Sequence, residues 1–371
     1  MLLYKIIKKL KLHKWGFRII RPFCSHIIPI TDLTVSSAEQ KLQAIHPDRG
    51  ATCLCKNTTH QFTCYDLQIV IPAYNASQYI VECMESVLSQ QTKFRFVVTV
   101  VNDGSTDNTL QLLQRYATNP NVILFDQENR GFSGARNRAL ENLIAPYVLF
   151  VDSDDRLPPN AIEILMQTAK KEQAEIVEGS YRYFTNDKTI SIFQHSTQTT
   201  NDWRTLYGFV CGKVFRSELF NNIHFPPDYW FEDTICIYMI YPKCKKVATI
   251  EDILYEYRLN KEGITSTSRG DVRSLDALWV TRHILSDARQ SGIPWGQALY
   301  ESFLHDLCVN YTRFSSLKSP TIHLNTFIVS CALREQYFHH FHTNDSKLKP
   351  LELALIQGDY GAYILYGKCY L

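Results

Sequence analysis

Apolar residues between Leu67 and Tyr183 form short runs, and amphipathic segments separate these runs. An apolar run of about four to eight residues predicts a strand buried on both faces, while apolar positions three and four apart predict a helix. The predicted strands are Leu67–Ile71, Phe94–Val101, Val122–Phe125, Tyr147–Val151 and Ala174–Tyr183, with helices near residues 77–90, 108–117, 135–142 and 160–172. Ser77 is placed to cap the first of these helices. Strands that alternate with helices of this length indicate βαβ units and therefore a parallel sheet.

The two ends of the chain show different patterns. Residues 2–10 place leucines and isoleucines on one helical face and lysines on the other, and the Arg21-Pro22 pair is expected to end this helix. The sequence is then polar to about residue 65, where we predict an extension with one short helix at Ser37–Ile45. Three further helices are predicted at Asp271–Ser286, Gln297–Arg313 and Thr326–Phe338, whereas the pattern of Glu352–Tyr366 fits no single element.

The charge is balanced overall but not along the chain. The net charge of +2 gives no field that would attract nucleic acid, so we predict no nucleic-acid partner. The charged residues among positions 1–21 are all lysines and arginines, and no acidic residue precedes Asp32. A basic amphipathic helix is equally typical of contact with an anionic membrane surface and of docking on its own protein. No apolar run approaches the roughly 20 residues that span a bilayer. We therefore predict a cytoplasmic location, with peripheral contact to the inner face of the cytoplasmic membrane as one role for residues 1–21.

The eleven cysteines are scattered along the chain. Only Cys53, Cys55 and Cys64 lie close together, and their C-x-C spacing departs from the usual zinc patterns. Six others lie in apolar surroundings, as buried reduced cysteines do: Cys83, Cys211, Cys236, Cys244, Cys308 and Cys331. This distribution favours a reducing compartment.

Polar, turn-forming residues follow three of the predicted strands. The first strand ends in PAYN, the second in NDGSTDN and the fourth in DSDD. Asp152 and Asp154 lie two residues apart, so an extended backbone points both carboxylates the same way, an arrangement that suits Mg²⁺ or Mn²⁺. By itself the acidic run is more typical of a solvated turn, with Asp155 and Asp107 as ordinary turn or capping residues. Because the carboxyl ends of parallel strands meet at one edge, the three loops together predict one ligand-binding cleft.

Four motifs in a fixed order carry a family resemblance. IVIPAYNASQYIVECMESVLSQQ, VVNDGSTDNT, NRGFSGARNRAL and VLFVDSDD resemble the donor half of family 2 glycosyltransferases with the GT-A fold. CGKVFRSELF, FPPDYWFEDTI and YEYRLNKEGITSTS resemble that family's acceptor-side and closing segments. The resemblance implies a Rossmann-like α/β fold with a mostly parallel sheet flanked by helices. It also divides the chain into an N-terminal extension at 1–65, a GT-A transferase domain at 66–268 and a helical C-terminal region at 269–371.

The resemblance implies a reaction as well as a fold. The donor would be a nucleotide-sugar, usually a UDP-sugar, used with inversion and with a divalent metal, Mn²⁺ or Mg²⁺. The acceptor would be a saccharide or a lipid-linked saccharide in surface polysaccharide or glycolipid synthesis. Asp233 would be the general base with Glu232 beside it, and Asp154 would contact the metal. Asp103 would accept a hydrogen bond from the nucleotide base. The residues that would bind the nucleotide-sugar are Pro72, Ala73, Tyr74, Asp103, Asn129, Arg136, Asp152, Arg258 and Ser266.

Simpler explanations exist for several of these residues. Asp233 and Glu232 would also stabilise the N-terminus of the helix that ICIYMIY predicts, and Arg258 would also fit a surface ion pair. Lys213 would either face the acceptor or flank a core helix. For the whole chain, a nucleotidyltransferase also places carboxylates after a strand, but PAYNASQYI lacks the glycine-rich, basic phosphate loop expected of one. A catalytically silent glycan-binding module on the same fold is the third hypothesis, and the presence of Asp154 and Asp233 favours an enzyme over it.

Overall fold

The computed structural model describes residues 13–55, 60–185, 188–260 and 263–371. The chain divides into two compact units. The first, which we call the sheet unit, comprises Gly50–Gly263 and Ser286–Ile293. The second, which we call the helical unit, comprises Met1–Arg49, Ile264–Leu285 and Pro294–Leu371.

A nine-stranded sheet in the described residues forms the sheet unit. Its strands are β1 Leu67–Ala73, β2 Phe96–Asp103, β3 Val122–Gln127, β4 Tyr147–Phe150, β5 Ile176–Thr185, β6 Lys188–Phe193, β7 Gln198–Thr200, β8 Lys213–Arg216 and β9 Val247–Arg258. The order is β3-β2-β1-β4-β8-β5-β9-β7, and β6 pairs with β5. Pairing is parallel among β1 to β4 and between β5 and β9, whereas β6, β7 and β8 are antiparallel to their neighbours. The prediction of a mostly parallel α/β sheet is confirmed.

The apolar runs mark the strands that are covered on both faces. Every residue of β1 and β4 is buried, and in β2 only Phe96 is partly exposed. The covering helices carry apolar stripes, such as Ile80, Met84 and Val87 of the first one. These helices are Ile80–Leu88, Thr109–Gln114, Gly131–Leu140 and Ala161–Glu172. The helices predicted from periodicity are therefore present, with ends that differ by a few residues.

Two predictions in this unit are corrected. Ser77 does not cap the first helix, because that helix begins at Ile80 and the Ser77 backbone N–H donates instead to Asp107 (3.1 Å). The segment ICIYMIY does not form an ordinary α-helix. It contains the π-helical turn Cys236–Ile240, a rare form that often occurs at functional sites.

The remaining helices are His13–Cys24, Asp32–Ile45, Ile264–Thr267, Asp276–Gln290, Gln297–Ser315, Pro320–Phe338, Lys349–Gln357 and Tyr360–Tyr370. The helix expected at residues 2–10 lies outside the described residues. Pro22 does not end the following helix, which continues to Cys24, since a proline in the last turn removes only one hydrogen bond near a frayed end. The unassigned segment Glu352–Tyr366 belongs to two helices that Gly358 separates with a φ of 63°. No helix in the described part of the chain is long and apolar enough to cross a membrane.

The six cysteines expected in apolar surroundings are all buried and free. Of the possible zinc cluster, Cys53 is buried, Cys55 is half-buried and Cys64 is exposed. Across the four described ranges, no group of three or more His, Cys, Asp and Glu side chains is arranged to hold a metal ion by itself.

Candidate functional site

The loops after β1 and β2 are joined to each other by hydrogen bonds. The Asn75 backbone N–H donates to the Ser105 hydroxyl (3.1 Å), and the Asn75 side-chain oxygen accepts from the Thr106 backbone (2.8 Å). Asp107 accepts from the Ser77 backbone N–H (3.1 Å) and from the backbone N–H two residues ahead (2.9 Å), the local bond expected of a turn or capping residue. Asn75 has a φ of 47°, a left-handed conformation that asparagine tolerates better than most residues. Two neighbouring parallel strands therefore end in one continuous polar rim.

Asp103 ends β2 and is almost completely buried. Its Oδ1 accepts from the Gln127 side chain (2.7 Å) and from the Arg130 backbone N–H (2.9 Å). Its Oδ2 is buried without a hydrogen-bond partner. Because buried carboxylate oxygens normally have a donor, this atom can accept one that a ligand supplies. Gly104 is required beside it, since its φ is 68° and a Cβ there would lie 2.7 Å from the Asn129 backbone nitrogen.

Asp155, the last residue of the acidic run, has a structural role. It is buried, and it accepts from the Tyr255 hydroxyl (2.6 Å) and from the Arg258 backbone N–H (2.7 Å). Its backbone N–H also donates to the Asp152 carbonyl oxygen (3.0 Å), so the expected turn is present, and the contacts of the buried carboxylate were not predicted. The same tyrosine hydroxyl accepts from the Asp152 backbone N–H (3.2 Å), and the Arg258 Nε donates to the Asp154 carbonyl oxygen (2.6 Å). The position of the acidic run is thus set by β9, which lies about 100 residues further along the chain.

Asp152 and Asp154 are less buried than Asp155. Burial and the negative charge of Asp152 raise the pKa of Asp154, and the Asn260 amide, 3.1 Å away, partly opposes them. Carboxylates this close repel one another, and a cation beside them would relieve the repulsion.

Arg136 connects the acidic run with the predicted general base. Its guanidinium donates to Asp152 (2.8 Å) and to Glu232, the neighbour of Asp233. Only 6% of the Arg136 side chain is exposed, and the charges of both carboxylates raise its pKa against the effect of burial. Charge-assisted bonds of a buried arginine are strong and directional. They hold the end of β4 next to the segment that carries Asp233.

The Glu232-Asp233 pair follows a strained residue. Phe231 has a φ of 64°, which is unusual for a bulky side chain and is found mainly where a site requires it. Burial raises the pKa of Glu232, the charge of Arg136 opposes this effect, and the charge of Asp233 adds to it. Asp233 is half-buried, and its carbonyl oxygen accepts from the Cys236 backbone (2.9 Å) at the start of the π-helical turn. The position of Asp233 fits both predicted roles: stabilisation of the N-terminus of the π-helical turn by its negative charge, and general-base catalysis.

Arg258 at the end of β9 is tied to the same loop. Besides Asp154, it pairs with Glu82 at 2.5 Å, and it lies over the rings of Phe184 (4.5 Å) and Tyr79 (4.9 Å). The alternative of an ion pair is met in part, because Glu82 is 42% exposed whereas only 13% of the Arg258 side chain is. Closure of Arg258 over a diphosphate stays a prediction.

The other predicted donor residues have different surroundings. Pro72 and Ala73 are buried at the end of β1, and Tyr74 beyond them is 51% exposed. Asn129 is exposed and accepts from the backbone N–H two residues ahead (3.2 Å). Ser266 lies in a four-residue helix of the helical unit.

Three residues of this network escaped prediction. Glu82, Tyr255 and Asn260 contact Arg258, Asp155 and Asp154, respectively. They lie in segments that carry the family resemblance, but no role was predicted for them. No local pattern marks such residues, because their partners are at least 100 positions away in sequence.

Residues 68–226 match the family described as Glycosyl transferase family 2. This segment is a family 2 glycosyltransferase domain. The match includes the loops after β1, β2 and β4, whereas Asp233 and Arg258 lie beyond its end. The predictions of the family and of a GT-A-like fold are confirmed.

Related proteins match only part of their length. The chain is 29% identical over 250 residues to glycosyltransferase GlyA of Streptococcus pneumoniae, covering 61% of this chain and 34% of that protein. It is 30% identical over 208 residues to the poly(ribitol-phosphate) beta-glucosyltransferase of Bacillus spizizenii, covering 53% and 33%. The chain thus spans about a third of either relative. The solved structure of S. aureus TarS 1–349 in complex with UDP-GlcNAc shares the fold, with a TM-score of 0.63, 21% identity and coverage of 80% of this chain and 89% of that one.

Proposed function

We propose that this chain is an inverting glycosyltransferase. It moves a hexose or N-acetylhexosamine from a UDP-sugar to a saccharide or lipid-linked acceptor in the synthesis of a bacterial surface polysaccharide or glycolipid. Asp233 is the general base, Asp152 and Asp154 hold the metal and diphosphate, and Asp103 binds the nucleotide base. The family of the domain supports the reaction class, and the relative named as a poly(ribitol-phosphate) glucosyltransferase supports a polymeric acceptor.

The observation that carries this proposal is the Arg136 bridge. Inversion needs a base on the sugar face opposite the leaving group, so the base and the groups that hold the leaving group must be different residues in one cleft. Arg136 contacts Asp152, at the end of β4, and Glu232, next to Asp233. One buried cation therefore links the acidic run after β4 to the residue next to Asp233, which supports assigning the two roles to neighbouring groups.

The donor set suits a divalent cation. Mg²⁺ and Mn²⁺ are commonly bound by one or two carboxylates together with substrate phosphates. Asp152 and Asp154 provide such a pair. Burial, followed by the negative charge of Asp152, raises the pKa of Asp154, and a cation beside the pair would favour the ionised form. When bound, the cation supplies positive charge beside the leaving diphosphate.

The protein's own groups supply the remaining steps. Oδ2 of Asp103, which has no hydrogen-bond partner among the described residues, accepts a hydrogen bond from the ring N–H of uracil. This bond fixes the nucleotide-sugar at the β2 end of the polar rim. Asp233 takes the proton of the acceptor hydroxyl as that oxygen attacks the anomeric carbon, and UDP leaves from the opposite face. Arg258 stabilises the charge that develops on the diphosphate, and its bond to the Asp154 carbonyl oxygen supports this role.

The proposal is tested with a panel of UDP-, GDP- and dTDP-sugars in the presence of Mn²⁺. Release of UDP from one or more UDP-sugars is the expected result, and no release from any nucleotide-sugar would contradict it. A nucleotidyltransferase would instead release pyrophosphate from UTP and a sugar 1-phosphate. A silent module would bind a nucleotide or a saccharide without turnover.

We also propose peripheral membrane contact through the N-terminal region. Phe17 is buried and packs edge-on against Tyr370 (5.6 Å), so one face of His13–Cys24 docks on the protein itself. Phe23 and Ile27 nearby are 87% and 66% exposed. Exposed apolar side chains next to a basic segment are typical of proteins that bind anionic membrane surfaces.

Sedimentation with phosphatidylserine-containing vesicles tests this contact. The double variant Phe23→Ser/Ile27→Ser is expected to reduce binding about tenfold or more, since each side chain loses the free energy of apolar burial. Phe62→Ser, which removes another exposed phenylalanine (41%), is the matched control. A wild-type protein that stays in the supernatant disproves the contact.

A further inference from the structure

Half-buried aromatic rings cluster on the side of the sheet unit where β5 and β9 pair. Ring centroids are 4.6 Å apart for Tyr207 and Phe209, 5.3 Å for Tyr183 and Tyr257, and 6.2 Å for Phe209 and Tyr257. Tyr207 is 37% exposed and the other three are partly exposed. The fully buried Tyr181 contacts three of the four rings at 5.0 to 5.4 Å. We call Tyr183, Tyr207, Phe209 and Tyr257 the aromatic platform.

The aromatic platform adjoins the segment that carries Asp233. Ile237, about one helical turn after Asp233, lies 3.5 Å from the point that a Cβ of Gly208 would occupy. Gly208 stands between the two platform residues of this loop. The Tyr241 hydroxyl, just after the π-helical turn, donates to the Tyr207 carbonyl oxygen (2.7 Å). Burial is the main reason that the pKa of Tyr207 is raised, the neighbouring Tyr183 is the next, and the charge of Asp233 makes a smaller contribution.

A buried ion pair supports the loop from below. The Lys213 ammonium donates to the carbonyl oxygens of Phe209 (2.5 Å) and Tyr207 (3.3 Å), and it pairs with Glu178 (2.8 Å). Glu178 accepts in turn from the Tyr207 backbone N–H (2.8 Å). Both charged side chains are excluded from solvent, and a buried pair is expensive to form unless its remaining groups are hydrogen-bonded. Lys213 and Glu178 each bond to the loop that presents two platform rings, and Glu178 also pairs with His195 (3.3 Å), so the loop is held in place before a ligand arrives.

We propose that the aromatic platform is the acceptor subsite, where a pyranose ring of the acceptor saccharide stacks with one hydroxyl directed at Asp233. Flat aromatic faces cover the C–H groups of a sugar, and tyrosine hydroxyls at their edges bond its hydroxyl groups. Lys213 and Glu178 act as positioning residues for this subsite, because they contact the loop and not the ligand. The inference rests on the proposed function, since it assigns the second substrate of that reaction.

The test compares Tyr207→Leu, Tyr207→Phe and the control Phe62→Leu. The acceptor probes are the p-nitrophenyl glycosides of glucose, galactose, N-acetylglucosamine and N-acetylgalactosamine, and the donor is the UDP-sugar that the wild type hydrolyses. Tyr207→Leu is expected to raise the acceptor KM about tenfold while donor hydrolysis and UDP affinity stay at the wild-type level. Tyr207→Phe keeps the ring and is expected to stay within about threefold of the wild type. Phe62→Leu, which alters another exposed ring, leaves both readouts unchanged.

The outcomes separate this inference from the proposed function. An unchanged acceptor KM in Tyr207→Leu overturns the aromatic platform, as does a wild type that hydrolyses donor but neither glycosylates nor binds any of the four probes. If the wild type hydrolyses no donor, the proposed function fails. The aromatic platform is then tested by saturation-transfer NMR with the same glycosides: signals that Tyr207→Leu abolishes support it, and signals that persist or never appear overturn it. Tyr257→Leu replaces Tyr207→Leu if the latter does not fold.

Discussion

Two regions of the sheet are built from different kinds of sequence. We call the edge formed by the loops after β1, β2 and β4 the donor edge, and the region around the aromatic platform the aromatic side. The donor loops follow β1, β2 and β4, and each functional residue there lies within a few positions of a strand end. The aromatic platform takes Tyr183 from β5, Tyr257 from β9, and Tyr207 and Phe209 from the loop before β8. The donor edge therefore repeats one local arrangement, whereas the aromatic platform exists only after distant strands have paired.

The two sides also treat charge differently. At the donor edge, Asp103 keeps a buried acceptor without a partner, and Asp152 and Asp154 crowd each other. On the aromatic side, Lys213 and Glu178 neutralise each other beneath the surface. The donor edge is thus suited to a ligand that brings donors and a cation, and the aromatic side to an uncharged one.

Asp233→Asn is expected to have the largest effect and to separate the two sides most clearly. Loss of the general base should lower kcat for transfer about 10³-fold, while UDP affinity stays unchanged. Steady-state transfer and UDP titration measure the two quantities. Asp228→Asn is the matched control, because it changes an exposed aspartate in the same segment, at φ 65°, to a residue that tolerates this conformation. Weaker UDP binding in Asp233→Asn would contradict the base assignment.

Glu178→Gln tests whether charge on the aromatic side is structural. It should lower the free energy of unfolding at neutral pH by about 3 kcal/mol, because Lys213 is left buried without its counter-charge. Burial raises the pKa of Glu178, but Lys213 and His195 together hold it below its ordinary value of 4.5. A carboxylate whose pKa is lower in the folded state than in the unfolded state stabilises the fold at any pH above its unfolded-state pKa. This contribution is lost as the pH falls through its folded-state pKa.

The difference between the wild type and Glu178→Gln should therefore shrink as the pH falls below 4.5. Urea unfolding at a series of pH values measures it. A difference that stays constant down to strongly acidic pH would show that the pair does not contribute as an ion pair.

Asp154→Asn tests the cation on the donor edge. It should lower turnover about 100-fold at a fixed Mn²⁺ concentration and raise the Mn²⁺ concentration needed for half-maximal activity. Chelation of the wild type with EDTA should abolish activity, and added Mn²⁺ should restore it. Activity that survives EDTA would remove the metal from the mechanism, whatever the variant does.

Asp103→Asn is expected to give the smallest effect. It keeps the oxygen that accepts from Gln127 and Arg130 but places an amide where Oδ2 was, so UDP affinity should fall about tenfold. The Mn²⁺ requirement should not change. Asp126→Asn, an exposed aspartate on the neighbouring strand, is the control. An equal loss of affinity in both variants would argue against a contact between Asp103 and the base.

Local sequence patterns were sufficient for the elements of the donor half. β1, β2 and β4 are apolar because both of their faces are covered, and this periodicity is visible without any knowledge of the partners. Convergence of the strand-end loops also follows, because parallel pairing puts all carboxyl ends on one edge. The single acidic run did not suffice, since DSDD by itself also fits a solvated turn. Its position after the fourth strand of a series changed that interpretation.

The contacts that hold the site together depend on pairing between distant strands. The roles of Asp155 and Tyr255 arise from a hydrogen bond between residues 100 positions apart, and the Arg136–Glu232 bond joins residues 96 apart. The support of the aromatic platform by Lys213 depends on the register of β8 against β5, which places Lys213 opposite Glu178. Hydrophobic periodicity states which face of a strand is buried but not which strand lies beside it. The sequence therefore identifies the candidate residues for the chemistry, whereas their relative positions are set only by the pairing of distant strands.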